Sequence, residues 1–358
     1  MKLADIINEY RLPFLKKYGA QLLPSHLKAL DAITACKKQC GYFSCRCGSC
    51  QHCQSHALSC GHRSCPQCQN HSATEWLNRQ KQKLLPAEYF MVTLTLPEQL
   101  RQLAFDHQHR IYTLMFDCAK ETLKELGLDK RHAGGELGMT SVLHTHTRRL
   151  DYHPHLHIVI PGAALINQGK AFKRSDSKYL IHGDVIAKIF RGKLLYALYE
   201  ECFSLPRNIP EKWVANVKHI GKGLPALQYL SRYLYRGVVS QKAIVRNQNG
   251  EIIFRYKDSQ TKQTVNRTLA AEDFIWKVLQ HVLPRRFRRV RDYGFLHHNA
   301  KKKLMFIQYL LGIKIIESAN QKPIIRCQQC QCATHIIDIV PKRIPINFRF
   351  MRTMTANE

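Results

Sequence analysis

The densest chemistry in this chain lies in Asp151-Tyr-His-Pro-His-Leu-His157, where three imidazoles occupy alternate positions. The run Leu156-His157-Ile158-Val159-Ile160 is rich in large and β-branched residues and reads as a buried strand. Side chains alternate faces along a strand, so His153, His155 and His157 project to one side. Further on, Tyr229-Leu-Ser-Arg-Tyr233 supplies two phenols. Histidines holding a divalent ion, together with a phenol that attacks phosphorus, would make a site for DNA cleavage by tyrosine.

A third imidazole is available upstream. Gly138-Met-Thr-Ser-Val-Leu-His-Thr-His146 also reads as extended, with His144 and His146 on one face. If it pairs antiparallel with the next strand through the short connection from Arg148 to Tyr152, His144 or His146 comes beside His155 and His157; His144 is the expected third ligand. Three neutral imidazoles leave positions open for water and a phosphate oxygen. Magnesium prefers oxygen ligands and imidazole suits manganese, so the expected ion is Mg or Mn. The competing reading makes these satisfied core histidines or a simple zinc site.

Residues 224 to 237 read as a helix, with Pro225 in its first turn and Gly237 at its stop. Leu227, Leu230 and Leu234 form one stripe. Tyr229 and Tyr233, four apart, stack on one face, and Arg232 and Arg236 lie beside them, suited to hold phosphate bidentately. A phenol of pKa about 10 is a weak nucleophile at neutral pH, and a nearby cation stabilises its phenolate. Taken alone, both tyrosines read rather as helix-packing residues, and only the histidine cluster favours the catalytic reading.

With these motifs in hand, the chain resembles the HUH-type, two-tyrosine transposases of rolling-circle insertion sequences. His155-Leu-His157 matches the family's His-hydrophobic-His, and Tyr229 and Tyr233 match its Tyr-x-x-x-Tyr helix. Tyr89-Phe-Met-Val-Thr-Leu-Thr-Leu-Pro97 resembles its first catalytic strand, and Leu143-His-Thr145 the segment supplying the third histidine. His281-Val-Leu-Pro284 and Arg289-Val-Arg-Asp-Tyr-Gly294 resemble its C-terminal motif. The chain departs from the family pattern at His146, where an aromatic is expected, and in its additional N-terminal cysteines. The resemblance implies an α+β HUH nuclease, Rep- or relaxase-like: an antiparallel sheet with helices on one face. It also implies a 5′-phosphotyrosine link with release of a 3′-hydroxyl, acting on single-stranded DNA at mobile-element ends. Same-chemistry rivals are a replication initiator and a relaxase; a non-catalytic zinc-dependent DNA-binding protein is the rival of another class. No Gly-x-x-x-x-Gly-Lys-Ser/Thr loop indicates a fused helicase motor.

Nine of the fourteen cysteines fall between Cys36 and Cys68. Cys47-x2-Cys50 and Cys65-x2-Cys68 are a zinc signature, and one tetrahedral site from these four is the simplest expectation. Cys36 and Cys60 match family positions and would bind a second ion or share the first. Disulfides are the alternative, disfavoured by basic composition and the lack of a secretory leader. Cys327-x2-Cys330-x-Cys332-x2-His335 resembles half of a metal knuckle. Cys118 and Cys202 stand alone in expected helices as packing residues.

A length of 358 residues and a formal charge of +29 leave room for several domains and call for a polyanionic partner. No apolar run is long enough for a membrane span, and a DNA-associated protein of the bacterial cytoplasm is expected. The anticipated layout is a helical and zinc-binding module at 1–80, the nuclease at 85–245, a basic DNA-binding region at 246–320 and a tail at 321–358. In that basic region Arg285, Arg286, Arg288, Arg289 and Arg291, interleaved with Phe287, Tyr293 and Phe295, are expected to meet DNA.

Overall fold

The alternation read along the histidine strand recurs on its neighbours, and a sheet follows from it. A computed structural model describes residues 1–358 apart from 69, 170, 175–180, 226, 229–237, 259, 314–323 and 342–358. In chain order the described elements begin with α1 (Leu3–Tyr18), α2 (Pro24–Ala35), β1 (Gly41–Cys47), β2 (Cys53–Ala57), α3 (Asn70–Lys81) and β3 (Glu88–Thr95). Then come α4 (Arg101–Asp106), α5 (Gln108–Leu128), β4 (Glu136–Leu137), β5 (Met139–His146), β6 (Tyr152–Pro161), β7 (Ala163–Ile166), β8 (Ala171–Arg174), α6 (Gly183–Glu200) and β9 (Ala215–Lys222). The last are β10 (Ile244–Gln248), β11 (Glu251–Lys257), β12 (Thr264–Ala270), α7 (Ala271–Leu279), β13 (Val290–Tyr293), α8 (Lys301–Leu310) and β14 (Thr334–Pro341).

The central sheet is antiparallel, ordered β13-β5-β6-β3-β9. One face is apolar: Phe90, Val92 and Leu94 of β3, Leu143 of β5, and Leu156, Ile158 and Ile160 of β6 pack with Tyr112, Met115, Phe190 and Leu194 of α5 and α6. This is the expected α+β arrangement. The residues one step out of phase, Thr93, His144, His155 and His157, therefore share the other face. That face is partly covered at one end, where Trp76 of α3 and Leu227 cluster with Val142 and Val159.

A second core does not follow chain order. Ile6 and Phe14 of α1 and Leu30 of α2 share it with Phe254 of β11 and Phe274 and Leu279 of α7. The first helices are thus built together with residues from the segment after 238, not with the cysteines alone. Leu150, at the tip of the β5–β6 hairpin with a left-handed φ of 67°, is buried in the same core. Asp151 beside it accepts from Arg267 at 3.0 Å and Lys277 at 2.9 Å. The histidine hairpin is thereby pinned at its turn by the neighbouring core.

A three-stranded sheet, β14-β1-β2, joins the expected tail at 321–358 to the N-terminal module, because β14 is the outer partner of β1. An unpaired β1 edge would expose a row of backbone donors and acceptors, and β14 satisfies them. Arg63 of the cysteine module donates to the carbonyls of Phe287 at 2.7 Å and Pro284 at 2.9 Å, tying that module to the basic loop.

Two expectations about single residues fail here. Phe287 and Phe295 are buried, Phe287 against the Tyr112 and Phe116 rings, so neither offers a face to a nucleic-acid base. Cys202 is exposed with φ 57° just beyond α6, whereas Cys118 is buried in α5 as a packing residue.

Candidate metal centre and nucleic-acid face

Register brings the imidazoles together. His144 of β5 lies directly across from His155 of β6, and Thr93 of β3 lies across from His157. One ligand nitrogen from each of His144, His155 and His157 falls within 4.8 Å of the others. The ring centroids are 5.3 Å apart for His144–His155, 4.5 Å for His144–His157 and 4.8 Å for His155–His157. His146 is left out because the pairing shifts between His144 and His146. Its ring turns toward His281, 5.1 Å away. His153 stays beside the set, 5.3 Å from His155, without joining it.

The donor set fits a divalent transition ion. His155 Nδ1 meets the His153 carbonyl at 2.7 Å and His157 Nδ1 meets Thr93 Oγ1 at 3.0 Å. With Nδ1–H donating to these oxygens, Nε2 of each ring is the nitrogen left for a metal, the usual support for a metal-binding histidine. Burial, aided by the charge of neighbouring histidines, pulls His157 down to about 3 and His144 well below the ordinary histidine range. Burial lowers His155 too, against the opposing effect of the His153 carbonyl. All three are therefore neutral at pH 7, the form that ligates.

A cleft of about 750 Å³ opens onto these rings, lined also by Arg148, Arg149, Lys257, Asp151, Asp258 and Val238. Arg148, Arg149 and Lys257 offer charge to a polyanion, while Asp151 is already paired with Arg267 and Lys277. Arg289 contributes its charge to the environments of His144, His146 and His281. Arg285, Arg286 and Arg288 are exposed, and Arg286 and Arg288 border a separate cavity of about 490 Å³ with His109 and His298. Arg291 is committed inward: its guanidinium lies 4.4 Å over the Phe116 ring and 3.8 Å from Asp117. Asp292 of the same strand accepts from Lys83 at 2.6 Å and Thr140 at 2.7 Å, a structural role.

Tyr229, Tyr233, Arg232 and Arg236 lie outside the described residues. Leu224, Pro225, Leu227 and Gln228 just ahead of them are helical, as their spacing predicts.

The cysteines sort into two clusters, Cys36-Cys60-Cys65-Cys68 and Cys47-Cys50-Cys327-Cys330, each with its sulfurs within 4.8 Å. A single site from Cys47, Cys50, Cys65 and Cys68 is thus overturned: the β1–β2 hairpin carries Cys47 and Cys50 to β14, while Cys65 and Cys68 pack beside α2 through Cys36, whose sulfur is 3.1 Å from that of Cys68. Sequence reasoning missed Thr93, the His153 carbonyl and the place of Cys327 and Cys330. A threonine amid the apolar positions of a strand facing histidines was the signal for the first; no local signal pairs distant cysteines.

Comparison with known proteins agrees with this anatomy. Residues 138–303 match the family model described as "Putative transposase", and residues 6–96 match "Transposase zinc-binding domain". The protein "Putative transposase y4qJ" of Sinorhizobium fredii (strain NBRC 101917 / NGR234) is 31% identical over 364 residues, spanning 90% of this chain and 87% of that one. The "Transposase for insertion sequence element IS801" of Pseudomonas savastanoi pv. phaseolicola is 27% identical over 275 residues, spanning 71% of this chain and 65% of that one. A match carried through both the histidine sheet and the cysteine module leaves one assignment: the chain belongs to the two-tyrosine transposases of rolling-circle insertion sequences and carries their zinc-binding domain.

Proposed function

We propose that this transposase nicks and rejoins single-stranded DNA at the ends of a mobile element through a 5′-phosphotyrosine intermediate, with His144, His155 and His157 holding a divalent ion, Mg or Mn. The observation that carries the reading is the convergence of three neutral imidazoles, two of them braced at Nδ1, in a cleft also lined by Arg148, Arg149 and Lys257. When bound, the ion would polarise the scissile phosphate.

The chain's own residues supply the nucleophile. Tyr229 or Tyr233 attacks phosphorus through its phenolic oxygen; a P–Oη bond forms, the P–O3′ bond breaks, and the phenolic proton passes to the departing 3′ oxygen. That hydroxyl can later reverse the step on another strand, so joining needs no external energy source, and the second phenol permits a second cleavage. Support for the phenols comes from their described flanks. Leu227 packs with Val142 and Val159 on the histidine face, and Val238 lines the histidine cleft, so the segment between them starts and ends at this site. Arg232, Arg236 and Arg289 are assigned to phosphate near the reacting bond. Arg285, Arg286 and Arg288 are assigned to flanking DNA backbone, and Arg291 serves the fold. Cys36, Cys60, Cys65 and Cys68 are assigned a structural zinc.

A replication initiator would use the same chemistry at an origin; the names of both relatives favour element ends. The test is a denaturing gel with labelled single-stranded DNA and manganese. Tyr229→Phe with Tyr233→Phe abolishes the covalent adduct and leaves DNA binding intact. Undiminished adducts in the double variant overturn the assignment.

A further inference from the structure

We propose a second zinc site, split between the two ends of the chain, in which Cys47 and Cys50 of the N-terminal module and Cys327 and Cys330 of the C-terminal segment share one ion and so clasp that segment to the module. It is independent of the tyrosine chemistry and distinct from the Cys36 cluster. Cys327 and Cys330 also lie beyond both stretches matched by family models, which end at residues 96 and 303.

Neither Cys-x-x-Cys pair is a site alone, because a structural zinc takes four ligands. The structure brings the pairs face to face. Cys47 Sγ is 3.4 Å from Cys330 Sγ, and Cys50 Sγ is 3.6 Å from Cys327 Sγ and 3.5 Å from Cys330 Sγ. Four thiolates each about 2.3 Å from zinc stand roughly 3.8 Å apart in a tetrahedron. A disulfide requires about 2.05 Å, and all four cysteines are free. The sulfur spacing is that of a common ligand, not of a bond.

The two halves are built alike. The residue after the second cysteine is glutamine in both, and both adopt left-handed φ, 58° at Gln51 and 61° at Gln331. These tight turns aim backbone N–H groups at the first sulfur. Ser49 N–H lies 3.4 Å from Cys47 Sγ.

One buried side chain joins the halves. Gln54, 7% exposed, donates through Nε2 to the Arg326 carbonyl at 3.1 Å and accepts at Oε1 from Gln328 N–H at 2.9 Å. Cys47 and Cys327 are fully buried while Cys50 and Cys330 reach the surface. The β1–β14 pairing and Gln54 set the two loops side by side, and an ion shared by the four sulfurs would lock them there.

Zinc content of the full-length chain tests this. Cys47→Ser with Cys50→Ser, and Cys327→Ser with Cys330→Ser, each lower it by one ion relative to the unaltered protein, and the fourfold variant also lowers it by one. The ion retained at the Cys36 cluster reports that the variant has folded. Unchanged zinc in the Cys327/Cys330 variant overturns the proposal, and a loss of two in any variant marks one that has not folded. If a variant does not fold, alkylation of the unaltered, zinc-loaded protein with N-ethylmaleimide and peptide mapping decides. Cys50 and Cys330 are protected whereas Cys53 and Cys332, also exposed, react. Equal reaction at all four refutes the clasp.

Discussion

Replacing Thr93 by valine probes the histidine centre without touching a ligand. Thr93 Oγ1 is 3.0 Å from His157 Nδ1, and the two residues are cross-strand partners of β3 and β6. For Nε2 to face an ion, Nδ1 must carry the proton and donate it to that hydroxyl. Valine keeps the branched shape and strand preference but removes the acceptor. Losing such an outer-shell partner lowers metal affinity about 10- to 100-fold, roughly 1.4 to 2.7 kcal/mol. The loss of one buried hydrogen bond, about 1 to 3 kcal/mol, is of the same size. The assay is a manganese titration of the full chain with its zinc retained, following free Mn2+ by its electron-spin resonance. Thr93→Ser, which keeps the hydroxyl, binds nearly as the unaltered protein does. If Thr93→Val and the parent bind manganese equally, the hydroxyl does not brace a ligand and the site reasoning is wrong.

Acid and the basic loop give two further tests. Burial pulls both His157 and His281 down to about 3, so the unfolded chain takes up protons first as pH falls below about 6.5. Stability is complete above that value and is lost toward pH 3, about 2 kcal/mol for each of these histidines between pH 7 and 5. Urea unfolding without added divalent ion measures this, and a flat profile across that interval would contradict neutral burial. Phe287→Ala lowers stability by about 3 to 5 kcal/mol because it empties the site between Tyr112 and Phe116. Arg288→Ala leaves the melting temperature unchanged and reduces the salt dependence of DNA binding by about one phosphate contact. The reverse pattern would return the aromatic to the DNA face.

What could be read in advance was whatever depends on near neighbours. The two-residue period of Tyr152 to Ile160 placed His155 and His157 on one face, and the short connection to Met139–His146 limited the third partner to His144 or His146. The resemblance likewise implied an antiparallel sheet with helices on one face, the place that α5 and α6 take against β3, β5 and β6. Register between strands was legible only as a choice of two. The shift after His144 settled it, in a hairpin whose tip residue Leu150 is buried in a core assembled from distant segments.

The cysteines and aromatics show the boundary most sharply. A Cys-x-x-Cys pair is a local fact, but it supplies half of a coordination shell and carries no information about which other half is near. Cys47 and Cys50 are closer in sequence to Cys65 and Cys68, yet the pairing of β1 with β14 delivers Cys327 and Cys330 instead. Phe287 sits among arginines along the chain, yet in a loop without period each side chain points wherever packing rewards it, and for a phenyl ring that is the core. The amino-acid order alone determined the donors, their spacing and their shared strand face, because bond geometry acts over a few residues. Tertiary structure decided which donors meet, because that depends on long-range pairing and burial that no short stretch encodes.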